Sequence, residues 1–212
     1  MQITIPSSWE DISWKKFEEI IELNKIELSD LDREIKLVSL MTGLTESEVR
    51  NLDANSYSVI EQKLHFLSTK PSNEKVRDEL ILNGTVYHVD IISTAINAGQ
   101  FLDFKVLQSA ENIDKRVPRI LACFIYPKGH KYNDGYDVEK VVDDINEYMS
   151  VPEVTSLSNF FIIQFKAYAT SILRYLERKS KKWKQIPTQE KKKIQEALKE
   201  GRDLINAIGT FA

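Results

Sequence analysis

Leu80-Ile81-Leu82-Asn83-Gly84-Thr85-Val86-Tyr87-His88-Val89 is the stretch on which the fold turns. Asn-Gly stands between two runs of β-formers. A two-residue type I′ hairpin needs positive φ at both central positions, which Asn and Gly tolerate best. Because a lone hairpin is only marginally stable in water, a further strand is expected beside it. The start of the chain offers one: Ile3 and Ile5 alternate with Gln2 and Thr4 until Pro6 stops the run.

On the N-terminal side the period changes from two to helical. Ser13 is a good N-cap for a helix carrying Trp14, Phe17, Ile20, Ile21 and Leu23. A second helix is predicted over 30–42, with Ser29 and Asp32 at its start, Leu31, Ile35, Val38, Leu40 and Met41 on its apolar side, and Gly43 as its stop. Thr45 and Glu48 have capping-box spacing for a short helix ending near Leu52. Asp53 caps another that carries Tyr57, Ile60, Leu64, Phe66 and Leu67 and ends before Pro71.

Toward the C-terminus, helical signals return around 101–108 and 113–126. A polar loop spans 127–136, an amphipathic helix 138–149, and a long aromatic-rich helix about 152–176. These elements define an α+β fold, mainly α: a helical domain with a small antiparallel sheet made of the N-terminal strand and the Asn83-Gly84 hairpin. The domain spans 1–173, and a basic helical extension spans 174–212. Between Arg174 and Asp203 there are eleven Lys or Arg and five Asp or Glu, a local balance of +6, so the rest of the chain carries -9 of the net -3.

Composition narrows the function classes. The chain has 212 residues, 42% hydrophobic and 29% charged, enough to bury a core and too apolar for a disordered protein. The net charge argues against a surface built wholly for nucleic acid. Cys123, the only cysteine, lies in the apolar run 120–125 and reads as an inert buried thiol. The opening residues lack the basic and apolar regions of a signal peptide, and no stretch is apolar enough to span a bilayer, so synthesis in a reducing cytosol and no membrane partner are expected.

Catalytic groups are sparse. The three histidines, His65, His88 and His130, include no pair at helical i, i+4 spacing, and one cysteine excludes a thiolate zinc cluster. His65 reads as a helix-boundary residue and His88 as a strand residue. There is no phosphate-cradling glycine cluster and no nucleophile elbow. Asp143 and Asp144 are adjacent on a helix and diverge by about 100°, so they form no dyad. Phe160, Phe161, Phe165 and Tyr168 read as a core stripe or a partner groove. No enzyme activity, cofactor or metal is expected.

Two segments remain as candidate partner contacts. In the loop 127–137 they are His130, Tyr132, Asn133, Asp134 and Tyr136, with a positive-φ turn expected at Asn133-Asp134-Gly135. In the basic extension they are Lys181, Lys182, Trp183, Lys184, Lys191, Lys192 and Lys193, on either side of Pro187. The extension reads either as a solvated helix face with Ile194, Leu198, Leu204 and Ile208 on its buried side, or as a dock for an acidic protein or nucleic acid.

The order of features resembles small neck- and tail-region proteins of tailed bacteriophages of Bacteroidetes hosts, including crAss-like phages. The likeness runs through Ile-Thr-Ile-Pro-Ser-Ser-Trp at 3–9, Trp14-Lys15-Lys16-Phe17, and Leu40-Met41-Thr42-Gly43-Leu44-Thr45-Glu46-Ser47-Glu48-Val49. It continues through Asn83-Gly84-Thr85-Val86-Tyr87 and Ala98-Gly99-Gln100-Phe101-Leu102-Asp103. It covers residues 1 to about 165 and leaves out the basic extension. The resemblance implies a virion protein made in the host cytoplasm. Such a protein is a homo-oligomeric ring component contacting portal, neighbouring ring or tail proteins, or else a tail assembly chaperone that is not retained in the particle. A nucleic-acid-binding module using the extension is a third, less favoured reading. No catalytic residue comes with the resemblance.

Overall fold

In the computed structural model, residues 4–90, 98–108 and 116–180 are described, with single helical positions at 192 and 199. Helix α1 (Trp14–Lys25) starts at Ser13, whose hydroxyl accepts from the Lys16 N–H. Helix α2 (Asp30–Thr42) is capped by Ser29 and ends at Gly43, whose φ of 73° lets its N–H reach the Ser39 carbonyl. The short α3 (Glu46–Arg50) carries both arms of a capping box: the Thr45 hydroxyl accepts from the Glu48 N–H, and the Thr45 N–H donates to Glu48 Oε2 at 2.8 Å. Asp53 caps α4 (Ala54–Leu64), which passes into a 3-10 turn at His65–Ser68. His65 thus stands at a helix boundary, as its neighbours imply.

The apolar faces of these four helices meet in one cluster. Ile20, Ile35, Val38, Met41, Val49, Ile60 and Leu64 are buried there together with Trp9, Ile12 and Val151. Trp9, in a 3-10 turn (Trp9–Asp11), meets Phe17 and Phe66 edge-on at centroid distances of 5.8 and 5.4 Å, and its indole N–H donates to the Thr69 carbonyl. A buried Trp that has satisfied its one donor contributes apolar area without an unpaired polar group.

The hairpin forms as expected. Strands β1 (Glu79–Leu82) and β2 (Thr85–Val89) pair antiparallel with Leu82 opposite Thr85, and Asn83 and Gly84 hold φ of 48° and 73°. The third strand differs from the expected one. It is β3 (Ile125–Pro127), which pairs with β2 so that His88 faces Tyr126, giving the order β1-β2-β3. Thr4 and Ile5 lie in no strand, and Ile5 packs against the helical cluster instead; Ile3 lies outside the described residues. The helix expected over 113–126 is also corrected. Among the described residues, α6 (Val117–Leu121) ends after five residues, residues 122–124 form a turn, and β3 begins at Ile125. A short apolar run suits a buried helix and a buried strand alike, so periodicity does not separate them.

Leu80, Leu82, Tyr87, Val89 and Ile125 form the buried face of the sheet. Helix α5 (Ala98–Gln108) sends Gln100 to the Cys123 carbonyl at 3.0 Å and Phe104 against Phe124. Helix α7 (Val138–Tyr148), capped by Asp137, packs on α1, α6, β1 and β3. One buried polar knot fastens it to the hairpin: the Tyr87 hydroxyl donates to Asp144, and Lys140 Nζ reaches the same carboxylate at 2.5 Å. Asp143 faces solvent, so the two adjacent acids diverge as expected.

Helix α8 (Val151–Ser180) runs without interruption past position 174. The chain divides into two compact units, Met1–Ser156 and Leu157–Ala212. Within the first, the Trp14 N–H donates to the Met149 carbonyl and the Val151 N–H to the Ile12 carbonyl, each at 3.0 Å. The sheet half and the helical cluster are thereby joined through the residues flanking Ser13 and Ser150. In the second unit, Phe160 and Phe161 meet edge-on at 5.3 Å, with Phe161 buried and Ile163 exposed. The side chains of Phe165 and Tyr168 lie outside the described residues. No described helix is long and apolar enough to cross a membrane.

Candidate interaction surface

The loop from Lys128 to Asp137 leaves β3 and returns to α7. Three positive-φ positions shape it: Gly129 at 92°, Asn133 at 60° and Gly135 at 72°. Asn is among the few side-chain-bearing residues that adopt this conformation readily. His130 Nδ1 lies 3.2 Å from the Asp134 carbonyl oxygen, and its ring stands edge-on to Tyr136 at 5.9 Å. The loop therefore folds on its own side chains, with His130, Asn133 and Asp134 exposed.

Tyr132 points the other way. Its hydroxyl donates to Asp103 on α5 and sits beside the Cys123 thiol. Burial, and then the bond to Asp103, hold the phenol well above its ordinary range. Burial likewise pushes the Cys123 thiol up to about 12. A thiol that stays protonated at neutral pH is a poor nucleophile, which agrees with its apolar setting in the sequence.

Asp103, Val106, Arg119, Cys123, Tyr132 and Glu139 line a cleft of about 340 Å³ at this loop. Its mouth carries an ion pair, Arg119 to Glu139 at 2.5 Å, with both side chains about half exposed. Leu102 and Val106, one turn apart on the outer side of α5, are 58% and 67% exposed. An apolar pair beside hydrogen-bonding and charged groups is equipped to bind. At its floor Tyr132 and Cys123 are both held in their neutral forms.

Two further concavities lie on the first unit. One, of about 460 Å³, runs between α1 and α2 over Leu23, Ile26 and Leu40, with Lys15, Glu18, Glu19, Glu22 and Lys36 at its rim. The other, of about 440 Å³, is lined by Glu10, Asp11, Glu74, Glu147 and Glu153 together with Arg77. Its acids mostly have local partners. Asp11 accepts from the Ser7 N–H, Glu10 from the Ser72 hydroxyl, Glu153 from the Ser150 N–H, and Glu147 from Lys15. Among the described residues no group of three or more His, Cys, Asp or Glu is placed to hold a metal ion.

The structure thus gathers the five loop residues marked in the sequence, but turns Tyr132 inward toward α5. Of the basic extension, Lys192 is an exposed helical position; Lys181, Lys182, Trp183, Lys184, Lys191 and Lys193 lie outside the described residues. Sequence reasoning did not find Asp103, Arg119 or Glu139. They come from three different helices, and nothing in their local sequence marks the meeting point. No family model, curated protein or solved structure matches the chain.

Proposed function

We propose that this chain is a structural protein of a tailed-phage virion, a multi-copy ring component of the neck or tail near the portal, acting by protein-protein binding. The observation that carries this reading is the apolar pair Leu102 and Val106, both more than half exposed, beside the polar cleft and the self-folded loop. Interfaces are built in this way, with an apolar centre that becomes dry and a polar rim that stays wet. The resemblance described above supplies the setting, and head-to-tail contacts that close by rotation supply a ring. The neighbours are the portal and adjoining ring or tail proteins, with further copies of the chain around the ring. We place no reaction on it.

The deciding experiment is mass spectrometry of purified mature particles. The chain is expected there in many copies, and Val106→Asp is expected to reduce its incorporation at unchanged expression and fold. Absence of the native chain from mature particles, with presence in assembling ones, would move the assignment to a tail assembly chaperone. A nucleic-acid-binding module using the basic segment 174–203 is the less favoured reading, and the salt dependence of binding separates it from the first.

A further inference from the structure

Asn83-Gly84 is the only Asn-Gly pair in the chain, and it stands at the tip of the β1–β2 hairpin. Both residues are exposed, at φ of 48° and 73°, and a Cβ added at Gly84 would meet nothing within 4 Å. Such a pair carries its own reactants. The main-chain nitrogen after an asparagine attacks the side-chain carbonyl carbon when it is unhindered and free to lose its proton. The fold denies this to the other described asparagines. After Asn51 the Leu52 N–H donates to the Val49 carbonyl at 3.2 Å, and after Asn133 the Asp134 N–H donates to the Lys131 carbonyl at 3.0 Å. After Asn55 the Ser56 N–H is held by the Asp53 carboxylate at 3.0 Å, and after Asn73 the Glu74 N–H by the Ser156 hydroxyl at 2.8 Å. The nitrogens after Asn24, Asn146 and Asn159 lie inside α1, α7 and α8, where the helix uses them. Gly84 differs. The ladder begins at Leu82 and Thr85 on either side of the turn, and among the described residues the Gly84 N–H has no hydrogen bond.

We propose that Asn83 is a site of spontaneous deamidation in the folded protein, and that its conversion loosens the hairpin from α7. The deprotonated Gly84 nitrogen attacks Asn83 Cγ; the N–Cγ bond forms, the Cγ–Nδ2 bond breaks, and the amide nitrogen takes up a proton and leaves as ammonia. Water then opens the five-membered imide. Hydrolysis at Cγ frees the Gly84 nitrogen from the side chain and leaves aspartate. Hydrolysis at the main-chain carbonyl leaves isoaspartate, with Gly84 carried on Cγ. Nothing is oxidised or reduced. Either product places a carboxylate where an amide stood. That amide lies beside Asp144 and, with Lys140 and Tyr87, is among the groups that stabilise its carboxylate. Deamidation thus exchanges a supporting dipole for a like charge at the buried knot that fastens the hairpin to α7. Isoaspartate also lengthens the main chain, which then no longer fits a two-residue turn between Leu82 and Thr85. The change needs no partner and stands apart from the assembly reading.

The test incubates the full-length native chain, folded, at mildly acidic and mildly alkaline pH, and follows each asparagine by peptide mapping with mass spectrometry. Asn133 is the internal control: it is exposed and at positive φ like Asn83, but the nitrogen after it is bonded and belongs to a residue with a side chain. Position 83 is expected to convert at least about tenfold faster than Asn133, which asks for a barrier lower by only about 1.4 kcal/mol. Conversion should speed up with pH, because the attacking nitrogen must lose its proton, and should yield both acid forms. Hydrogen exchange then reads the consequence. The converted chain, and Asn83→Asp made directly, should exchange faster than native protein at the Val89 amide, which donates to the Asp78 carbonyl across the hairpin at 2.8 Å. The aged native chain carries the same readout should the variant fail to fold. A parallel incubation in urea separates the fold from the bare sequence. Folded protein that converts at 83 no faster than at Asn133, or converts there only when unfolded, overturns the site. Conversion that leaves exchange at Val89 unchanged overturns the loosening of the hairpin.

Discussion

At Gly84 the backbone stands at φ 73°, and a Cβ added there meets nothing within 4 Å. The penalty for a side chain is therefore conformational and not steric against neighbours. Gly84→Val is expected to destabilise the fold by about 1 kcal/mol or more, and Gly84→Asn by much less, because Asn tolerates positive φ. Thermal melts of the two variants check this; equal melting temperatures for Val and native protein would remove the turn assignment. Asp144 acts through charge. Its side chain is 6% exposed. Burial pushes its carboxyl up, but the bonds from Lys140 and Tyr87 outweigh that effect and hold it below the ordinary carboxylate range. With the folded value below the unfolded one, the carboxylate's contribution is fully present above the unfolded value and is lost as pH falls through the folded one. Asp144→Asn should thus destabilise by about 1–3 kcal/mol at neutral pH. The gap to native protein should shrink as pH falls below about 4. Denaturation at several pH values decides it, and a gap that stays constant into acid would show that the carboxylate's charge contributes nothing.

Among the elements, the helix starts carry the clearest local causes. Thr45 and Glu48 each satisfy one backbone donor at the entry to α3, a helix of five residues that has little else of its own to hold it. Thr45→Ala is expected to lose about 1 kcal/mol. The Thr45→Ala, Glu48→Ala pair should lose less than the sum of the singles, because the two side chains also bond each other at 2.8 Å. Additive losses in a double-mutant cycle would mean the two arms act independently. Such caps made the first helices readable: Ser13, Ser29, Thr45 and Asp53 each sit one residue before a helix, and Gly43 one residue after. The hairpin was readable for the same reason, since its turn chemistry lies within two residues. What was hidden depends on distant partners. Ile125–Pro127 becomes a strand because β2 has a free edge to pair, and nothing within the apolar run 120–125 records that edge. Ile5 alternates like a strand residue, yet the cluster around Trp9 offers it burial. At the candidate surface, the loop's turn was visible in Asn133 and Gly135, whereas the inward turn of Tyr132 follows from Asp103, 29 residues away.

For the molecule as a whole, the uneven charge sets what the basic segment can meet. Lys179, Lys181, Lys182, Lys184, Lys191, Lys192 and Lys193 flank Pro187, and Trp183 lies inside the first cluster. On DNA the lysines would displace counterions, and about five phosphate contacts should give a log-log slope of affinity against salt near -4 to -5. On an acidic protein surface, charge acts chiefly on the encounter rate, while a buried aromatic anchor sets the dissociation rate. Removing Trp183 should then weaken binding more than removing any single lysine. The remainder of the chain, at -9, repels a polyanion laid across it. We therefore expect binding to a particle neighbour to survive moderate salt, to fall with Trp183→Ala, and to slow in association with a Lys191→Gln, Lys192→Gln, Lys193→Gln triple variant. One titration series over salt, run with duplex DNA and with the protein partner, separates the two. Tight DNA binding with the steep slope, lost in the triple variant and untouched by Trp183→Ala, would reassign the segment to nucleic acid.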